Sequence, residues 1–322
     1  MGFKIILGVV VLILVFVGLL FAVRDGGKEG WHDFSIDHEG LERTYRVYVP
    51  SSYDPDIGSW PVVLNFHGGF GNAEAAERQT AMSLTAEEKG FILVYPEAVV
   101  GERSESGKNY RHWNGGPRVD ANKAPNVDDV GFVSELLDDL EGKFNVDSTK
   151  VYATGISNGG TMVYRLACEL SDKISAIAPV GTNQLEIDCN PGRAVPVMHL
   201  HGVEDGFFPY EGGAGEISDS LQPVEETILE WVDRNGCSDE FNELEGFGEC
   251  RVYSGCDQGA RVVLCLIEGH GHTWPGPGIY AGARTCESNP DGNLCNILKG
   301  ITGPRNYDFQ ANALMWDFFE NS

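Results

Sequence analysis

The stretch that most constrains this chain is Thr154-Gly155-Ile156-Ser157-Asn158-Gly159-Gly160. It joins a β-rich run, Val151–Ile156, to an apolar-periodic one, Asn158–Leu170, so it reads as a strand entering a helix through a sharp turn at Ser157. Such a turn strains the backbone, and side chains two residues to either side would collide; Gly155 and Gly159 remove them. The same alternation continues on both sides. Pro61–Phe66, Phe91–Tyr95, Ser175–Val180, Val195–Leu200 and Arg261–Ile267 read as strands. Ala73–Lys89, Asp129–Phe144, Glu225–Arg234 and Phe309–Phe319, the last capped by Asp308, read as helices. The stripe at 130, 132, 133, 136, 137 and 140 is the clearest of these. Strand–helix alternation over this length implies an α/β fold with a mostly parallel central sheet and helices on both faces. Phe34–Ile36 and Thr44–Val49, joined around Glu39-Gly40, form an antiparallel N-terminal edge. No second domain boundary is visible. Residues 97–127 are rich in Gly, Asn and Pro without a period, which places a long functional loop beside the site.

Ile5–Val23 is apolar or Gly throughout, with Lys4 before it and Arg24-Asp25 after it. A bilayer core needs roughly 20 such residues in a helix, and Phe21-Ala22-Val23 is a poor cleavage site. The expected organisation is a transmembrane signal anchor at 1–24, a linker at 25–30 and a catalytic domain at 31–322. Anchored or secreted, the chain from the linker onward lies outside the cytoplasm. Eight cysteines in the second half suit an oxidising compartment. The 48 acidic against 23 basic residues, a formal charge of −25, argue against nucleic acid as a partner.

A serine on such a turn becomes a nucleophile only with a base, and the base needs an orienting carboxylate. Two strand ends supply candidates: Glu204 and Asp205 after Val195–His201, and His270 and His272 after Arg261–Glu268. Spacing leaves both choices open. His67-Gly68-Gly69-Phe70-Gly71, at the end of another strand, suits a loop whose backbone N–H groups approach a substrate oxygen closely. The H-x-H pairs 199/201 and 270/272 lack an accompanying carboxylate–cysteine set at ligand spacing, so no metal or other cofactor is expected. Asp128 and Asp129 are expected to cap the helix that follows them.

Asn65–Gly71, VDDVGFVSELLDDL (Val127–Leu140), VYATGISNGG (Val151–Gly160), HLHGVEDGFFPYEGG (His199–Gly213) and GHGHTWPG (Gly269–Gly276) occur in one order over about residues 31–320. This set resembles the polyhydroxybutyrate depolymerase-like esterases, which include feruloyl and related carbohydrate esterases of family 1 type. The resemblance implies the α/β-hydrolase fold and a serine esterase acting on feruloyl or other aryl, acetyl-polysaccharide or hydroxyalkanoate esters, polymeric ones included. It implies Ser157 as nucleophile, Asp205 as acid, His272 as base, and oxyanion N–H groups from Asn158 and from Gly69 or Phe70. Trp113 and Trp274 resemble family aromatics near the acyl-binding groove, and Tyr210 is a further candidate for the lining. A serine peptidase of the same fold and a non-catalytic surface binding protein are the rival readings.

The turn Pro290-Asp291-Gly292 brings Cys286 and Cys295 together. Cys250 and Cys265 lie symmetrically about Asp257-Gln258 in a hairpin, facing each other. Cys168 and Cys189 resemble positions where family members carry cysteines. That leaves Cys237 with Cys256, a pair the resemblance also favours.

Overall fold

The computed structural model describes residues 28–103, 109–116, 127–215, 220–244, 249–276, 292, 296, 300 and 302–322. Its first strands, β1 (Gly30–His38) and β2 (Leu41–Val49), pair antiparallel across Glu39-Gly40, both at positive φ. Two such residues form the tight turn whose twist matches the strands. Gly30 already pairs with Val49, so strand structure reaches into the expected linker.

β3 (Trp60–Phe66), β4 (Ile92–Pro96), β7 (Val146–Ile156), β8 (Ala176–Val180), β9 (Val197–Gly202) and β12 (Val262–Ile267) are parallel. β5 (Val100–Arg103) and β6 (Asn109–Arg111) form a separate hairpin inside the segment expected to be structureless. β11 (Glu249–Tyr253), the expected hairpin partner of the strand that carries Cys265, and β10 (Phe241–Glu243), which was not read as a strand, close the far edge antiparallel. The ten-stranded order is β1-β2-β4-β3-β7-β8-β9-β12-β11-β10. The parallel strands are the near-continuous apolar runs, as burial on both faces requires.

Alternate residues feed two cores. Val62, Leu64 and Phe66 of β3 and Val151 and Ala153 of β7 pack with α3 (Asp129–Lys143), α4 (Asn158–Glu169) and α5 (Val224–Arg234). Val63, Tyr152 and Ile156 face α1 (Ala73–Thr80), α2 (Met82–Lys89) and α6 (Ala311–Glu320). The whole expected stripe of α3, from Val130 to Leu140, is buried.

Three local expectations change. The single helix expected over 73–89 breaks at Ala81, which is left-handed at φ 49°. The Thr80 hydroxyl there accepts from the Met82 N–H and pairs with the Tyr95 hydroxyl, a side-chain competition with helical bonding. Asp128 caps α3 by accepting from Gly131 N–H at 2.8 Å, but Asp129 turns inward to a buried 2.6 Å ion pair with Arg43. α6 begins at Ala311 without a side-chain cap; Asp308 instead donates its own N–H to Asn306.

Disulfides join Cys168 to Cys189, Cys237 to Cys256 and Cys250 to Cys265, the last pair directly opposed in the β11–β12 register. Cys286 and Cys295 lie outside the described residues. Among the described residues no helix is long and apolar enough to cross a membrane; Ile5–Val23 lies outside them.

Candidate active site

Ser157 follows the last residue of β7 at φ 58° and ψ −125°, with α4 starting at the next residue. The glycines around it are required by close approach. A Cβ on Gly155 would stand 2.8 Å from the Phe66 carbonyl oxygen, and one on Gly159 would overlap the same atom. The strain at Ser157 is held by the sheet, because its N–H donates to Val180 O at 3.0 Å.

The next residue, Gly181, connects this turn to a second group. At φ 51°, its Cβ position is 3.2 Å from Asp205 Oδ2 and 3.6 Å from His272 Nδ1. Those two atoms are themselves 2.8 Å apart, so His272 Nδ1–H donates to the Asp205 carboxylate. The turn after β8 thus brings Ser157, Asp205 and His272 to the carboxyl ends of β7, β9 and β12, where an open α/β sheet receives ligands. Asp205 Oδ1 accepts from the N–H groups of Phe207 at 2.8 Å and Phe208 at 2.9 Å. Burial pushes the Asp205 carboxyl up, but His272 and these donors outweigh it and hold it below the usual value. The Asp205 side chain is fully enclosed while His272 keeps 11% exposure, so the imidazole is the partner that reaches solvent. Phe207 stacks on the His272 ring with centroids 4.6 Å apart. The His272 backbone is pinned from behind by N–H donation to Thr302 O.

The rival groups have other partners. His270 is buried; its Nδ1 accepts from Asn306 N–H at 2.9 Å, which leaves Nε2–H to donate to Thr273 O at 2.9 Å. Burial lowers its pKa to about 4, so it is neutral and fully engaged. Glu204 accepts from the His270 N–H at 2.8 Å, bracing the turn rather than meeting an imidazole.

The glycine loop after β3 lies against Ser157, the Gly68 Cβ position falling 3.5 Å from Ser157 Cβ. His67, buried and lowered to about 4 by that burial, anchors it: Nε2 accepts from Ala98 N–H at 3.1 Å and Nδ1–H donates to Gly68 O at 2.8 Å. A side chain at Gly69 would strike the His112 ring 2.8 Å away. Phe70 departs from expectation. Its N–H donates to Arg111 O at 2.9 Å, so it is not held open as an oxyanion donor. The N–H groups of Gly69 and Asn158 have no hydrogen-bond partner among the described residues.

The expected aromatic contacts also move. Trp113 is buried, its indole N–H donating to His67 O at 3.0 Å, and its backbone is clasped by the Asn158 side chain through bonds of 2.7 and 3.0 Å. Trp274 is buried against α6, donating to Asn312 at 2.9 Å. Both indoles stabilise the loops around the site from below rather than face a substrate. The Tyr210 hydroxyl donates to Glu225 at 2.5 Å and accepts from Arg251 at 3.1 Å, which commits it within the fold. The partly exposed aromatics on these loops are instead Phe207, stacked on His272, and the 59%-exposed Phe70, set edge-on to His112. A close reading of G-F-G and D-G-F-F could have picked out both. The support from Asp129, which holds the Asn114 N–H at 2.7 Å, has no sequence signal beyond its adjacency to a cap.

The family model described as "Putative esterase" matches residues 38–180, which include the glycine loop and the serine turn. "Putative esterase NocK" of Nocardia uniformis subsp. tsuyamanensis is 30% identical over 259 residues, covering 74% of this chain and 72% of that protein. "Feruloyl esterase B" of Piromyces equi is 28% identical over 235 residues, 70% of this chain; the match spans only 42% of that longer protein. Among solved structures, an S-formylglutathione hydrolase from Agrobacterium tumefaciens superposes with TM-score 0.52 at 16% identity, over 76% of this chain and 88% of that one, a likeness of fold.

Proposed function

We propose that this chain, which belongs to the feruloyl esterase-like family of α/β-hydrolases, is a carboxylic ester hydrolase working through Ser157, His272 and Asp205. The observation that carries the reading is the 2.8 Å bond from His272 to a buried Asp205 at the strand end beside the strained Ser157 turn. In this mechanism His272 Nε2 removes the Ser157 hydroxyl proton as Oγ attacks the ester carbonyl. The tetrahedral oxyanion is received by the N–H groups of Asn158 and Gly69, with the α4 N-terminus adding its positive end. His272 then gives the proton to the departing alcohol, and a water activated by the same ring hydrolyses the acyl-Ser157 ester. Asp205, held ionised, fixes the tautomer and stabilises the imidazolium at each step.

For substrate, we infer aryl or acetyl esters carried on polysaccharide. Proteins similar to this chain bear the names feruloyl esterase and acetylxylan esterase, and the partly exposed Phe70 and Phe207, on the loops that carry Gly69 and Asp205, offer flat apolar faces suited to an aromatic acyl group. The catalytic domain would occupy 31–322 and work outside the cytoplasm, consistent with three disulfides among the described residues. Ile5–Val23 would tether or export it. Initial rates with methyl ferulate, acetylated xylan and hydroxybutyrate oligomers test the substrate. A kcat/KM for methyl ferulate or acetylated xylan at least about tenfold above that for the oligomers is expected; the opposite ranking would move the assignment to polyesters.

A further inference from the structure

Two histidines unused by the mechanism above, His199 and His201, are fully buried on β9, their rings stacked 5.3 Å apart at 14°. The direction of their hydrogen bonds follows from one end. His201 Nε2 lies 2.8 Å from the Phe208 carbonyl oxygen, which can only accept, so Nε2 carries the proton. A neutral His201 then has an accepting Nδ1, and the 3.0 Å contact to it is a donation from His199 Nε2–H. His199 Nδ1 in turn accepts the Tyr164 O–H at 2.7 Å. Burial depresses the pKa of both rings, which keeps them in the neutral state this order needs.

The two ends of this line stand on the two halves of the site. Tyr164 belongs to α4, the helix that begins beside Ser157. Phe208 belongs to the turn that holds Asp205: its C=O is gripped by His201, and its N–H donates to Asp205 Oδ1 at 2.9 Å. Apolar side chains would fill the same buried space with no desolvation cost, so packing alone gives no reason for three polar groups here.

We propose that His201, backed by His199 and Tyr164, is a positioning residue that fixes the 205–208 turn so that Asp205 Oδ2 meets His272 Nδ1. The inference rests on the reading of Asp205 and His272 as acid and base. Without the Phe208 anchor the carboxylate would lose its alignment with the imidazolium formed in the transition state.

The test uses the full chain with p-nitrophenyl acetate, measuring kcat, KM and the pH profile of kcat/KM over roughly pH 5 to 9, with a melting curve for each variant. His201→Leu should lower kcat by about 10- to 100-fold, the scale of a small misplacement at a site, while KM changes by less than about threefold. The acid limb should shift to lower pH, since an imidazolium with a poorly aligned carboxylate loses its proton more easily. His201→Gln, which keeps a donor for the Phe208 carbonyl, should recover most of the rate and the limb. Tyr164→Phe should shift the limb the same way by less. A folded His201→Leu with an unmoved limb, or a His201→Gln as impaired as the leucine variant, overturns the proposal. Where His201→Leu does not fold, Tyr164→Phe decides: a shifted limb supports the proposal and an unmoved one overturns it. Asp205→Asn separates the two levels. If it retains wild-type rates, the acid assignment itself fails; if it is inactive beside an unchanged His201→Leu, only the positioning role fails.

Discussion

Two histidines two residues apart on one turn have opposite environments. His272 gives one nitrogen to Asp205 and keeps an exposed edge, whereas His270 has both nitrogens bound to backbone. His272→Ala should therefore reduce kcat by several decades with little effect on melting. His270→Ala should lower the melting temperature, because it orphans the buried Thr273 C=O and the part-buried Asn306 N–H, at about 1–3 kcal/mol, while kcat stays within about tenfold. Paired measurements of kcat and thermal unfolding check this, and the reverse ranking would transfer the base role to His270. The sequence placed both histidines and both Glu204 and Asp205 at strand ends, but spacing could not choose among them. The difference in their environments comes from the loop at 302–306, 30 to 36 residues away in the chain, whose backbone takes up His270 and pins His272. The aromatic positions failed for a related reason: a tryptophan near a site reads alike whether its ring faces the substrate or, as with Trp113, lies beneath the loop.

At the scale of elements, legibility followed the strength of the local pattern. α3 was visible because its stripe runs unbroken, and the β1–β2 hairpin because Glu39-Gly40 suits a tight turn. The break at Ala81 was invisible, since it depends on Thr80 reaching Tyr95 on β4. β10 was missed because an edge strand needs no apolar alternation; Phe241, Asn242 and Glu243 are all exposed. The hairpin of β11 and β12 was nonetheless read from Cys250 and Cys265, which pair across it. Replacing both by serine should lower unfolding free energy by about 2–4 kcal/mol and leave the esterase rate nearly unchanged, since the bridge lies on the far side of β12 from the serine turn. Denaturant unfolding of the double variant checks it; a loss of rate in the folded state would mean that this edge also positions the His272 loop.

The molecule as a whole carries its histidines at the boundary between fold and function. His67 and His270 have pKa values lowered to about 4 against an ordinary 6.5, and His199 and His201 are lowered also, all by burial. Between pH 6.5 and about 4 the unfolded chain binds protons at these rings that the folded chain does not. Stability should then fall as pH is lowered through that window, each histidine contributing up to about 1.4 kcal/mol per pH unit. The depressed Asp205 acts in the same sense at lower pH, where its contribution is lost as the carboxylate protonates. Urea unfolding at pH steps across the window checks the slope, and a flat profile would mean that the rings open to solvent before the fold does. Whether catalysis proceeds through an acyl group on Ser157 is decided by p-nitrophenyl acetate turnover of Ser157→Ala against the parent chain near neutral pH. A fall on the order of 10⁴- to 10⁶-fold with an unchanged melting curve is expected. A folded Ser157→Ala variant that keeps a rate within tenfold of the parent would contradict it.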